Sequence, residues 1–159
     1  MGFQAQVNIT PAPAVAGDFA SSNPRASVVA GEAGFVAGSA GVTVGCFAWI
    51  GSDGITVSNT GTGAPAGFVH REQQALITPY LAESGRVIPA GLPVTVMRAG
   101  DYYATSNVAA ATVGAKAFAK LVDGTMQPGT AGATISGYIE TNFTISRACA
   151  IGELAVITK

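Results

Sequence analysis

Glycine-bearing turns at short, regular spacing set the limits on what this chain can fold into. Twenty-one of its 159 residues are Gly. Signals such as Gly51-Ser52-Asp53-Gly54, Asp123-Gly124 and Gln127-Pro128-Gly129 separate short runs rich in Val, Ile, Thr, Tyr and Phe. About eight to ten such runs recur at roughly 8–12-residue spacing, the pattern of a sandwich or barrel. No long amphipathic helical pattern interrupts them. The expected fold is all-β: an antiparallel β-sandwich, jelly-roll-like or barrel body.

Individual runs carry the prediction. Ala26–Ala30 is a short strand candidate. Over Val42–Ile50, Val42, Val44, Cys46, Ala48 and Ile50 alternate with Thr43, Gly45, Phe47 and Trp49. Both faces are apolar, which predicts a strand covered on both sides. Ile55–Ser58 returns from it as a hairpin partner, and Asn59–Gly63 is a loop. Gly67–Thr78 reads as one long strand whose centre, His70–Gln74, is polar on both faces, as an edge or a subunit contact would be. Ile88–Pro93 reads as a turn, Val94–Arg98 and Tyr102–Thr105 as strands, and Asn107–Thr112 is ambiguous. Ala115–Val122 has the propensity of a helix but the period of a strand, and Asp123-Gly124 supplies its hairpin turn. Thr134–Glu140, Asn142–Ala148 and Glu153–Lys159 complete the set.

The first 25 residues differ. Thr10-Pro11-Ala12-Pro13 and Asn23-Pro24 resist helix, and Phe3, Val7, Ile9 and Phe19 are apolar residues that need burial. An extended N-terminal arm over 1–25, packed on its own body or on a neighbour, and a single β-sandwich domain over 26–159 follow. The length suits one domain.

Side chains that do chemistry are scarce. Charged residues make up 11% of the chain and net charge is −1, against ~25% charged in a typical soluble domain. No basic run offers the footprint that nucleic-acid binding needs. Mean hydropathy is +0.40, but no stretch of about 18 apolar residues escapes punctuation, so no membrane span is expected. Met1–Thr10 has neither the basic nor the apolar part of a secretory signal, and Gln6 stands where a myristoylation motif wants Ser or Thr. The sequons at Asn8 and Asn142 are then chance matches. Cys46 and Cys149 are either two small apolar residues or a disulfide.

Each candidate site has a plain alternative. His70, the only His, sits beside Arg71 and Glu72. Alternation puts His70 and Glu72 on one face, so a surface pair accounts for them without a general acid–base role. One His and two distant Cys fall short of a zinc site. Ser39 misses nucleophile-elbow spacing. Gly61-Thr62-Gly63 lacks the Lys of a phosphate loop, and Asp53 and Asp101 stand alone in turns. Trp49, Tyr102, Tyr103 and Tyr138 are core or contact residues, or else an aromatic platform for a sugar. No cofactor or metal is expected.

Ala12–Arg25 (APAVAGDFASSNPR), Ser27–Glu32, Gly41–Trp49 (GVTVGCFAW) and Gly67–Glu72 (GFVHRE) together resemble the structural cement, or capsid decoration, proteins of tailed bacteriophages. Ile88–Tyr103 and Gly114–Gly129 extend the likeness over nearly the whole chain. Cys46 departs from it, standing where a variable polar or basic residue is expected. The resemblance implies a non-enzymatic accessory protein on the outer surface of the virion head, assembled in the host cytoplasm. Its partners would be the major capsid protein and itself, as a dimer or trimer. Expected contact residues are Phe3, Val7, Ile9, Pro11, Pro13 and Phe19 on the arm, and His70, Arg71 and Glu72 on the polar strand. The competing expectation is a carbohydrate- or host-receptor-binding module using Trp49 and the tyrosines, with Asn59–Gly63 as its rim. A hydrolase resting on His70 is a third.

Overall fold

The computed structural model describes residues 14–72 and 85–159. Phe3, Val7, Ile9, Pro11 and Pro13 lie outside the described residues, as does the expected strand beyond Glu72. Thirteen strands and no helix occur among the described residues: β1 (Ala26–Ser27), β2 (Val36–Ala37), β3 (Val42–Thr43), β4 (Phe47–Ile50), β5 (Thr56–Ser58), β6 (Gly67–Val69), β7 (Val87–Ile88), β8 (Val96–Ala99), β9 (Asp101–Thr105), β10 (Lys116–Lys120), β11 (Met126–Gly129), β12 (Tyr138–Arg147) and β13 (Leu154–Thr158). They form a six-stranded sheet in the order β1-β8-β6-β4-β5-β2, a five-stranded sheet in the order β11-β10-β12-β13-β9, and the pair β3-β7. All pairings are antiparallel except β2 with β5. The all-β expectation holds.

The six-stranded sheet is apolar on both faces because successive side chains of a strand point to opposite sides. Phe47, Trp49, Phe68 and Met97 belong to one buried cluster, which they share with Tyr102, Phe143, Ile145 and Ile157 of the five-stranded sheet. Their neighbours Ala48, Val69 and Val96 belong to a second cluster with Phe35, Val42, Val57 and Ile88. The first interface is aromatic. Phe47 meets Phe68 edge-on at 5.3 Å and Phe143 at 5.7 Å, and Tyr102 meets Phe143 at 6.2 Å. Such pairs add about 0.5–1.5 kcal/mol each beyond area burial. The Tyr102 hydroxyl is satisfied by donating to the Ala99 carbonyl at 2.8 Å, and burial pushes its ionisation up to about 12.

The second cluster is built mostly of Val and Ala because its space is narrow. β2 pairs with β5 on one side. On the other it bridges to the chain just ahead of β8, through Val36↔Pro93 and bonds from Val94 N–H to the Phe35 carbonyl and Ala37 N–H to the Leu92 carbonyl, both 2.9 Å. The sheet therefore curls back on itself, and small branched residues fill the inside.

Several strand boundaries differ from expectation. Val42–Ile50 is two strands, because Gly45 sits at φ +76° and a Cβ there would lie 2.8 Å from Ala16. Its first part pairs with β7 and its second with β5 and β6. Ala26–Ala30 shortens to β1. Of the expected strand Gly67–Thr78, Gly67–Val69 is β6, His70–Glu72 is not strand, and the rest lies outside the described residues. Val87–Ile88, not read as a strand, is β7. Gln127-Pro128-Gly129 is not a turn but part of β11, an edge strand, where a missing N–H is tolerated. Thr134–Glu140 and Asn142–Ala148 merge into β12, which passes through a bulge against β10. Thr141 lies within it, buried, its hydroxyl donating to the Ala117 carbonyl at 2.7 Å.

Candidate interaction surface

Residues 14–25, within the expected arm, run as a strap across the seam between the two large sheets. Gly17 joins both: its N–H donates to the Tyr103 carbonyl of β9 at 2.8 Å, and its carbonyl accepts from Arg71 N–H, just past β6, at 3.0 Å. The strap then pairs along β9, with Tyr103 N–H to the Asp18 carbonyl at 3.0 Å and Ala20 N–H to the Asp101 carbonyl at 2.9 Å. Only Gly fits at 17, since φ is +97° and a Cβ would sit 2.7 Å from Val44 Cγ1. Buried neighbours make that approach close: Ala16 is 3% exposed and Val44 is fully buried.

Phe19 anchors the strap. Its ring stacks on His70 at 3.9 Å and 24°, leans on Tyr102 at 5.6 Å, and lies 3.8 Å from the Arg25 guanidinium carbon. Two planar groups that near one centroid cannot share a face, so His70 and Arg25 take opposite sides of the ring. His70 Nδ1 also lies 3.1 Å from the Gly17 carbonyl oxygen. Arg71 faces Asp18 at 3.5 Å, with both side chains about a third exposed. A pair in that setting contributes under about 1 kcal/mol.

Asp101 is the polar end of the same device. Its carboxylate accepts from the Ser21 hydroxyl at 2.6 Å, from Asn23 Nδ2 at 2.7 Å, and from the Thr158 hydroxyl. The bonds from Ser21 and Thr158 hold its carboxyl below the usual carboxylate range, assisted by Asn23 and opposed by desolvation. One side chain thus ties the strap to β9 and β13.

Of the expected contact residues, the structure brings Phe19, His70 and Arg71 together, and their polar groups turn inward to the strap. Glu72 follows, half-buried. Sequence reasoning missed Arg25, Ser21, Asn23, Asp101 and Thr158. Ser21 and Asn23 are turn-type residues beside a Pro, and Asp101 reads as a turn residue. Nothing in their spacing shows that they converge across 80 positions of sequence.

The aromatic platform is not assembled. Trp49 is 7% exposed and Tyr102 is fully buried. Trp49 Nε1 donates to the Gly63 carbonyl at 2.9 Å. A Cβ at Gly61 would collide with the indole, and the Asn59 amide donates to the Phe47 carbonyl at 3.0 Å. Asn59–Gly63 is therefore a lid on Trp49, not a rim beside it. Cys46 and Cys149 are free thiols; burial pushes Cys46 up to about 11, against a smaller lowering by Arg86. Among the described residues, no group of three or more His, Cys, Asp or Glu is placed to hold a metal ion, and no helix is long and apolar enough to cross a membrane.

The described chain is thus an all-β body, doubly covered at its six-stranded sheet and closed at its seam by its own strap, with the polar cluster around Asp101 bonded internally. The chain belongs to the XM1 gp53 minor capsid protein family, whose model matches residues 3–159. Its fold is similar to that of a chain in a solved structure titled "The capsid of Myoviridae Phage XM1", with TM-score 0.67 and 18% identity over 99% of this chain and 97% of that one. Comparison with curated proteins finds no match. Family membership gives the chain a capsid-associated structural role in the virion.

Proposed function

We propose that this chain is a capsid cement protein: it binds the outer head surface, bridges major capsid subunits and stabilises the shell without catalysing a reaction. The observation that carries the proposal is the minor capsid family match across residues 3–159. The strapped body supports it physically. A bridge between shell subunits has to resist shear, and a strap bonded to both sheets opposes their separation. Low charge leaves neutral faces that are cheap to desolvate against a partner. Copies assembled as a homo-oligomer would multiply weak contacts by effective concentration, by as much as ~10²–10⁴ in avidity.

Residues 1–25 and His70–Glu72 are the proposed contact region. Within it, Phe19, His70 and Arg71 hold the strap in place, and Phe3, Val7, Ile9, Pro11 and Pro13 are the proposed capsid or subunit contacts. The test is a binding assay on heads lacking the protein. Full-length chain added back should saturate at a fixed ratio to the major capsid protein and raise the temperature at which heads release DNA. Deleting residues 1–13 should lower occupancy. Heads that gain neither protein nor heat resistance would show that the chain does not cement the shell.

A further inference from the structure

Where the strap does not cover it, the seam between the two large sheets opens as a cleft of about 80 Å³. Phe47 and Phe143, from facing sheets, lie in its wall, and Arg98, Glu140, Asn142 and Lys159 also line it. Arg98 and Lys159 meet there for a backbone reason. Gly100 and Lys159 exchange hydrogen bonds of 2.9 and 3.2 Å, which sets the end of β13 beside the end of β8.

These two cations differ from most others in the chain. Arg25 lies over Phe19, Arg71 faces Asp18, Arg86 donates to the Val44 carbonyl and Lys120 pairs with Asp123. Arg98 and Lys159 are exposed and make no side-chain hydrogen bond or ion pair among the described residues. Glu140, which also lines the cleft, accepts at Oε2 from Gly132 N–H at 2.7 Å and forms no ion pair with either cation among the described residues. Lys116 and Arg147 are also without such a partner, but neither lines the cleft.

Size decides the class of ligand. Small-molecule sites enclose about 300–1,000 Å³; this cleft holds only the tip of a side chain. The register decides how such a tip arrives. The β12–β13 ladder stops at Thr144↔Thr158, so the first half of β12 runs past the cleft without a β13 partner. An extended segment laid there would find backbone groups to bond. We infer that the cleft receives an acidic side chain, Asp or Glu, from a neighbouring shell subunit, its carboxylate between Arg98 and Lys159 and its stem against Ala64 and Pro65, the accessible apolar residues of the lining. Two like charges in an otherwise sparsely charged chain suit a contact that sets register. The inference rests on the cement reading only for the source of the side chain.

Two measurements test it. In the first, the full chain labelled with ¹⁵N is titrated with a blocked tetraglutamate peptide. Amide shifts should cluster at residues 64–67, 98, 140–143 and 159, and vanish in an Arg98→Glu/Lys159→Glu double variant whose melting is unchanged. Scattered shifts, or equal response to inorganic phosphate, would overturn the carboxylate assignment. In the second, the double variant should bind stripped heads about tenfold more weakly, while Lys116→Glu binds as the parent does. Equal binding by the double variant would overturn the inference and leave the cement reading intact. Failure of the parent itself to bind heads would overturn that reading, and the peptide titration still decides the cleft.

Discussion

Asp101 shows how much one side chain can organise. Its oxygens gather Ser21, Asn23 and Thr158, so its charge bears on how firmly the strap lies across the seam. Unfolded Asp titrates near 3.9; the folded group titrates lower. The unfolded state therefore takes up its proton first, and the stabilisation is fully present above about pH 4 and lost as pH falls through the folded value. At neutral pH, Asp101→Asn should cost up to about 1.5–3 kcal/mol, the range for a hydrogen bond to a charged group. Urea melts of both proteins should converge as pH falls below the unfolded carboxylate range; a gap that persists into strong acid would show that the charge is irrelevant. Cys46 gives a second expectation. Its thiol is 3% exposed and its ionisation is pushed up to about 11. In the native protein DTNB should modify Cys149 and leave Cys46 until the chain unfolds, because the thiolate is the reactive form.

Among the elements, the strap is the one whose role the sequence conceals. Pro and Gly marked residues 1–25 as extended, and Phe19 as needing burial, yet neither says which surface receives them. The answer is the free edge of β9, which gains backbone bonds and loses the hazard of an unpaired edge. Phe19→Ala removes the ring held by His70, Arg25 and Tyr102. It should destabilise by about 2–3 kcal/mol, below the 3–5 of a fully buried Phe because Phe19 is only partly buried. Limited proteolysis should then cut within residues 14–25 at native temperatures; continued resistance would mean the strap is held without Phe19. Strands were legible where period and burial agree, as in β4, β10 and β13. Ala117 and Ala119 of β10 face the aromatic core, so packing overrode their helix propensity. Strands set by long-range pairing were not legible: β2 and β7 are short, and their bonds go to partners that no local pattern names. β11 pairs with β10 across the expected Asp123-Gly124 hairpin, and was hidden because Gln127-Pro128-Gly129 reads as a turn.

At the scale of the whole molecule, only 11% of residues are charged, and the proposed attachment to heads inherits that. Attachment should weaken only a few-fold from low to high salt, since screening acts on exposed charge. Sedimentation of heads in rising salt checks this, and wholesale release at moderate salt would reveal an ionic interface wider than the Arg98–Lys159 cleft. The all-β class and the doubly covered β4 were readable from residues 1–159 alone. Side-chain period, turn chemistry and composition are local properties, and each was written several times over. The closing of the seam, the burial of Trp49 beneath Asn59–Gly63, the meeting of Ser21 with Asp101 and of Arg98 with Lys159 belong to the folded chain. They depend on which strands become neighbours, and that choice is made by the total burial of two facing sheets rather than by any one segment's pattern.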